Sequence, residues 1–155
     1  MSARAGSSRP GRSIGALAAG FFATAVLSTL VDVVLHATGV FPGWGQPMSD
    51  ALFVVATAYR VVFTVLGGFI TARLAPARPM KHVMILGAIG IVAASAGAIA
   101  TWEQGPEFGP KWYPIMLIVT ALPCVWAGGR LVERGAGMRR SFRTSAPANR
   151  SGSLT

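Results

Sequence analysis

Four long runs of apolar residues, separated by short polar segments, dominate the chain. They occupy residues 13–37, 50–73, 82–102 and 112–131. A helix needs about 20 mostly apolar residues to cross about 30 Å of hydrocarbon, and each run is roughly that long. Because lipid offers no partners to unpaired N–H and C=O groups, the runs should be helices. The pattern predicts an all-α, polytopic membrane protein with a four-helix transmembrane domain over residues 13–132.

Glycine and proline break the chain between the runs. The sequence FPGWGQP occupies residues 41–47, Pro76 and Pro79 lie in the second link, and the stretch 103–110 is rich in both residue types. Such segments make turns and do not continue a helix. Short links between four spans favour an up-down-up-down bundle in which neighbouring helices are antiparallel.

The composition excludes most soluble proteins. Of the 155 residues, 52% are hydrophobic and only 12% are charged, whereas charged residues usually make up about 25% of a globular domain. A small soluble domain needs more polar side chains to cover its surface. Disorder of the whole chain is also excluded, because disordered chains are poor in apolar residues.

The basic residues predict the orientation in the membrane. With both termini in the cytoplasm, twelve basic residues lie inside and only Lys111 lies in an outside segment. The inside residues are Arg4, Arg9, Arg12, Arg73, Arg78, Lys81, Arg130, Arg134, Arg139, Arg140, Arg143 and Arg150. This bias predicts an N-in, C-in multi-pass protein, which we assign to the cell (inner) membrane.

Both tails are basic, and the net charge of the chain is +9. We expect residues 1–12 to be a cytoplasmic tail and residues 133–155, which are also rich in serine, to be a disordered one. Both are expected to lie near anionic lipid at the cytoplasmic face. Nucleic acid is not an expected partner, because the arginines are not interleaved with aromatic residues and no binding module is recognisable.

The first run has a second interpretation as a cleaved signal peptide. Arginines precede it, and the small residues Ala23, Thr24 and Ala25 resemble a cleavage site. The apolar character continues to Leu35, which favours an uncleaved span. Cleavage would leave three helices, with the mature N-terminus outside.

Small residues in each run predict close helix packing, which in membranes depends on such residues and on interhelical hydrogen bonds. In the first run, every fourth residue from Gly20 onward belongs to one row. In each of the other runs, residues separated alternately by about four and three positions form a seam. These sets are Gly20, Thr24, Ser28, Asp32 and His36; Phe53, Thr57, Arg60, Thr64, Gly67 and Thr71; Gly87, Gly90, Ala94, Gly97 and Thr101; and Leu117, Ala121, Cys124 and Gly128.

Asp32, His36 and Arg60 are the residues of the runs that resist a purely structural account. A charge in a span usually faces the bundle interior and finds a partner. At 1.5 Å per residue, Arg60 lies about 15 Å and Asp32 about 9 Å from the outer end of its helix. The side chain of arginine is long enough to bridge that offset. We therefore predict an ion pair between Asp32 and Arg60, with His36 one turn above it.

Three interpretations of this polar cluster remain open. In a structural role, the two charges neutralise each other while Ser28, Thr57 and Thr64 satisfy their other hydrogen bonds. In a functional role, Asp32 and His36 relay protons or line an outward-open cavity, and Arg60 holds an anionic group. A metal site is the third, because Asp32 and His36 have the i, i+4 spacing of two ligands on one helix. It would need further ligands such as Glu103 and Glu107.

The predicted outer loop adds Glu103, Glu107 and Lys111. They either form a solvated rim or gate the entry to the polar cluster beneath. The sequence has no catalytic Ser/His/Asp pattern, phosphate-binding glycine loop, CxxC pair or HExxH helix. We therefore expect no enzymatic activity, no cofactor and no resident metal.

The sequences VDVVLHATGVFPGWGQPMSDALFVVATAYRVVFTVLGG, GPEFGPKWYP and TALPCVWAGGR resemble small four-span bacterial membrane proteins of unassigned function. The resemblance covers residues 31–131 and implies no activity, but it suggests that the outer turn and the polar cluster form one recurrent unit. The sequence favours a non-enzymatic accessory or interaction protein, which self-associates as a homodimer or binds another membrane protein. The alternative is a small transporter or proton-linked permeation unit that uses Asp32, His36 and Arg60.

Overall fold

The computed structural model describes residues 8–144, and it is all-helical over that range. The helices are α1 (Ser8–Ala37), α2 (Asp50–Leu74), α3 (Pro79–Thr101) and α4 (Trp112–Thr144), with a 3-10 turn at Pro106–Phe108. Within the described residues, these four helices are long and apolar enough to cross a membrane. The prediction of four apolar helices is confirmed.

The first and last helices extend beyond the predicted runs. Helix α1 begins at Ser8, inside the segment expected to be a tail. Pro10 does not prevent this start, because proline is tolerated in the first turn of a helix. Helix α4 continues to Thr144, well into the segment 133–155 that we expected to be disordered. No proline interrupts the chain between Pro123 and Pro147, so the helix has no reason to stop at residue 132. Residues 1–7 and 145–155 of the two predicted tails lie outside the described residues.

Local backbone chemistry fixes the other helix boundaries. Gly39 has a φ of +73°, a left-handed conformation that glycine adopts without steric cost, and it follows the end of α1. Arg78 has a φ of +46°. Pro79 then begins α3, where its missing N–H costs no hydrogen bond.

Helices α1 and α2 pack through two rows of residues with a spacing of four. Gly20 lies against Gly67 and Thr71, so that a Cβ at Gly67 would be only 2.8 Å from the carbonyl oxygen of Gly20. The Thr24 hydroxyl lies 3.1 Å from the carbonyl oxygen of Phe63, and the buried Thr71 hydroxyl lies 3.2 Å from that of Ala16. As the residue numbers increase along α1, the numbers of the residues that they contact on α2 decrease. Small residues and hydroxyls thus bring the two backbones together, as membrane helices require.

Glycines also allow α4 to approach α2 and α3 closely. A Cβ at Gly128 would lie 2.7 Å from the backbone nitrogen of Phe69 on α2, and one at Gly87 would lie 3.0 Å from the Val125 side chain. By contrast, Gly97 has nothing within 4 Å of its Cβ position among the described residues. The predicted seam of α3 is therefore packed near Gly87 but not at Gly97.

The bundle has two distinct ends. The loop end carries the connections 38–49 and 102–111, and Gly109 of the second connection lies against the ring of Phe53 near the start of α2. The link end carries the connection 75–78. Near the link end, the main hydrophobic core is formed by Ala72, Val83, Leu86 and Val125, with Leu17 and Val132 packed against it.

Most of the helix surface is exposed and apolar. Fewer than a quarter of the residues in the most apolar stretch of each helix are buried. Large side chains such as Val92 and Ile99 are 69% and 79% exposed. Apolar surface of this extent is unfavourable in water but suits hydrocarbon, and it supports a multi-pass membrane protein.

Candidate intramembrane polar site

Asp32 of α1 and Arg60 of α2 form an ion pair across the helix interface. Nη2 of Arg60 lies 2.6 Å from Oδ2 of Asp32. The structure thus brings together the two charged residues whose depths in the helices led us to predict an ion pair. The side chains of Asp32 and Arg60 are 19% and 25% exposed, and both residues line two cavities described below. A charge pair held in this way avoids most of the cost of an isolated charge in a span.

Tyr59 completes the ion pair, and sequence reasoning missed it. Its hydroxyl donates to Oδ1 of Asp32 and accepts a hydrogen bond from Nη1 of Arg60 at 2.9 Å. The expected partners do not fill this role, because the hydroxyls of Thr57 and Thr64 donate instead to the backbone oxygens of Phe53 and Arg60. A hydroxyl in the middle of a helix often bonds the carbonyl four residues earlier, and this competes with longer-range contacts.

A signal for Tyr59 was present in the sequence. The spacing of four that defines the row on α1 also gives the row Tyr59, Phe63, Gly67 and Thr71 on α2. Residues of this row make the contacts with α1, through ridges of the kind that interdigitate when two helices pack. The heptad seam that we read on α2 contains Arg60 but not Tyr59.

Two aromatic rings flank the guanidinium of Arg60. Its Cζ atom lies 5.2 Å from the ring centroid of Tyr59 and 5.8 Å from that of Tyr113 on α4. The negative face of an aromatic ring attracts a cation at such distances. Arg60 therefore connects α2 to both α1 and α4.

His36 lies one turn above Asp32, but its ring does not bond the carboxylate. Its Nδ1 donates to the backbone oxygen of Asp32 at 2.8 Å. The ring stacks on Trp44 with centroids 3.7 Å apart, and the edge of Phe41 packs against it. His36 thus anchors the loop 38–49 to the end of α1.

The loop end contains a cavity of about 300 Å³, which we call the loop-end cavity. Asp32, His36, Arg60 and Glu107 contribute to its lining. Aromatic side chains form much of the remaining wall; they are Phe41, Trp44, Phe53, Phe108 and Tyr113. The cavity therefore brings together four of the five residues that the sequence singled out.

Glu103, the fifth of these residues, does not line the loop-end cavity, although it lies on the same loop as Glu107. Lys111 lies on that loop as well, with its Nζ 5.0 Å from the ring centroid of Trp102. Among residues 8–144, no group of three or more His, Cys, Asp and Glu side chains is placed to hold a metal ion. The four residues Asp32, His36, Glu103 and Glu107 accordingly do not assemble into the metal-binding set considered above.

A second cavity of about 340 Å³, the mid-bundle cavity, lies on the other side of the ion pair. All four helices line it, and the hydroxyl-bearing residues Thr24, Ser28, Thr29, Thr64 and Thr120 interrupt a mostly apolar wall. Leu86 and Val125 of the hydrophobic core also contribute to its lining. Asp32 and Arg60 line both cavities, so the ion pair is located at their boundary.

In comparisons with known proteins, no family model, no curated protein and no solved structure matches this chain.

Proposed function

We propose that the four helices cross a cell membrane as an antiparallel bundle, with the loop end outside and both termini in the cytoplasm. The excess of basic residues at the link end and in the tails supports this orientation. The compartment that we propose is a bacterial inner membrane, with anionic lipid beside the basic link end. In this arrangement the loop-end cavity faces the outside solution.

Within this frame, we infer that the protein is a small, non-enzymatic transport unit, in which the Asp32–Arg60 pair separates outside water from the bundle interior. One observation carries the proposal: the two charges line the loop-end cavity on one side and the mid-bundle cavity on the other. A purely structural ion pair has no need of a cavity on each side. Ionisable residues inside membrane spans commonly mark ion and proton pathways.

The chemistry of the boundary supports movement of protons. The Tyr59 hydroxyl donates a hydrogen bond to the Asp32 carboxylate, so the boundary holds two groups of the kind that relay protons. On the cytoplasmic side of the pair, the hydroxyls of Thr24, Ser28 and Thr64 give the mid-bundle cavity polar positions. The core around Leu86 and Val125 closes the bundle towards the link end. We propose that the loop end is the side of entry, and transport then requires this core to open. Because a bundle of four helices encloses little volume, we propose that a homodimer carries out the transport.

Proton flux into liposomes tests the proposal. The protein is reconstituted with a pH-sensitive dye inside, and a potassium gradient with valinomycin imposes a membrane potential. We expect faster proton entry than in protein-free liposomes, and we expect the Asp32→Asn/Arg60→Gln double variant to abolish the increase. The amide side chains still fill the boundary but cannot take up a proton at neutral pH. Equal flux in wild-type, double-variant and empty liposomes contradicts the proposal.

A second candidate function is that of an accessory protein without transport activity, which binds another membrane protein. It is favoured by the complete pairing of the polar groups: among the described residues, every buried side-chain nitrogen and oxygen has a hydrogen-bond partner. A pair that only holds helices together requires no more than this. In that case the double variant inserts, folds and keeps its partners, and liposomes show no flux.

A further inference from the structure

The geometry points to a ligand class for the loop-end cavity, namely an organic cation with an alkylammonium group. This inference rests on one part of the proposed function, namely the orientation in which the cavity faces the outside solution. At about 300 Å³, the cavity is at the lower end of the range for small-molecule sites. Its lining combines aromatic walls with a surplus of negative charge.

The aromatic wall supplies the first part of the recognition. Five of the residues that line the cavity are Phe, Trp or Tyr, drawn from both loops and from α2 and α4. The ring of Phe53 is almost fully buried and lies 5.0 Å from that of Tyr113, so these two rings are held in place by packing. The negative faces of aromatic rings attract ammonium ions, and rings grouped around one space can surround such a cation.

The charge balance supplies the second part. The positive charge of Arg60 is already neutralised by Asp32, and its guanidinium is engaged by the Tyr59 hydroxyl. Glu107 lines the same cavity and has no ion-pair partner among the described residues. Among the Asp, Glu, Lys and Arg residues of the lining, Glu107 therefore contributes one uncompensated negative charge. This balance favours a cation over an anion.

The Trp44 ring gives the site an open aromatic face. One face of the indole stacks on the imidazole of His36, and Trp44 as a whole remains 69% exposed. Stacking on His36 fixes the orientation of the indole, so a ligand meets a ring that is already positioned. Preorganisation of this kind lowers the entropic cost of binding.

Calorimetric titration of the purified protein in a maltoside detergent tests the inference, with choline as the probe. The control ligand is the uncharged isostere of choline, in which carbon replaces the nitrogen. We expect choline to bind and the isostere to bind at least about fivefold more weakly, because it keeps the shape but loses the charge. Absence of choline binding, or equal binding of the two ligands, overturns the inference.

Variants locate the site. We expect Glu107→Gln to weaken choline binding about fivefold to tenfold, whereas Glu103→Gln, which removes the same charge from the same loop outside the cavity, leaves it unchanged. Trp44→Leu is expected to weaken binding about threefold, and Trp126→Leu, on α4 away from the cavity, is its control. Equal effects of the two glutamate variants, or of the two tryptophan variants, contradict the assignment.

A second arm of the experiment distinguishes a free solute from a lipid headgroup. Choline is titrated into protein in nanodiscs of phosphatidylcholine and in nanodiscs of phosphatidylglycerol. Weaker apparent binding in phosphatidylcholine identifies the headgroup as a competing ligand, and equal binding identifies a free solute; either result supports the ammonium site. Choline binding without proton flux leaves this inference standing and refutes the transport proposal, whereas flux without choline binding does the reverse.

Discussion

Arg60 of α2 reaches Asp32 of α1 with a distance of 2.6 Å between Nη2 and Oδ2, so an acid and a base from two apolar helices neutralise each other inside the bundle. Removal of either partner leaves the other charge without compensation. This relationship makes the stability of the bundle depend on both residues together.

A double-mutant cycle measures that dependence. We expect Asp32→Asn and Arg60→Gln each to lower the free energy of unfolding by about 2–3 kcal/mol, below the full cost of a completely buried pair because both side chains are partly exposed to cavities. The double variant should lose less than the sum of the two. Steric trapping in bicelles measures these free energies, and additive losses would show that the residues do not interact.

The hydroxyl of Tyr59 has its own contribution to stability. Tyr59→Phe removes hydrogen bonds to both charges, and we expect it to lower the free energy of unfolding by about 1.5–3 kcal/mol. Tyr113→Phe is the matched control, because Tyr113 contacts Arg60 through its ring, which phenylalanine retains. Thermal unfolding in detergent ranks the two variants, and an equal effect of both would argue against the role assigned to the Tyr59 hydroxyl.

The contact between Gly20 and Gly67 predicts a steric effect. A methyl group at Gly67 would lie 2.8 Å from the carbonyl oxygen of Gly20, so Gly67→Ala must push α1 away from α2. We expect a loss of about 1–3 kcal/mol, the usual cost of overpacking. Gly97→Ala is the control on α3, where the added methyl has nothing within 4 Å among the described residues and should change stability by less than about 0.5 kcal/mol. A similar melting temperature for both variants contradicts the packing described here.

The apolar runs allowed the helices to be predicted closely, because a run that must bury its backbone groups in lipid has no alternative to a helix. The ends of α1 and α4 were not predicted, because the length of an apolar run does not show whether polar turns extend the helix beyond it. The ion pair was predicted from the depths of Asp32 and Arg60 along their helices. The role of Tyr59 was not predicted, because the seam that we read on α2 differed from the row of residues that packs against α1.

The aromatic wall of the loop-end cavity was also beyond prediction. Nothing in the spacing of Trp44 along the sequence indicates the stacking of its ring on His36. Phe41 and Phe53 are separated in sequence from Tyr113, and the two loops must fold over the bundle before these rings surround one space. Loop geometry of this kind depends on turns, such as that at Gly109, whose conformation the composition of the segment does not specify.

Reporter fusions test the orientation that we propose. Fusions ending at Gly43 and Gly109 should give active alkaline phosphatase, which requires export, and a fusion ending at Arg78 should give fluorescent GFP in the cytoplasm. The physical reason is the concentration of basic residues on the side of the link end. The reverse pattern at any of the three positions refutes the N-in, C-in assignment.

Thiol labelling in intact cells tests the central claim most directly, namely that the Asp32–Arg60 pair separates outside water from the bundle interior. In a Cys124→Ser background, Gln46→Cys places a thiol at the loop-end cavity and Ser28→Cys places one at the mid-bundle cavity. We predict that a membrane-impermeant maleimide labels Gln46→Cys rapidly and leaves Ser28→Cys unlabelled. Truncation of the pair by Asp32→Ala/Arg60→Ala should then make the Ser28→Cys thiol reactive. Equally fast labelling at both positions while the pair is intact would contradict the account.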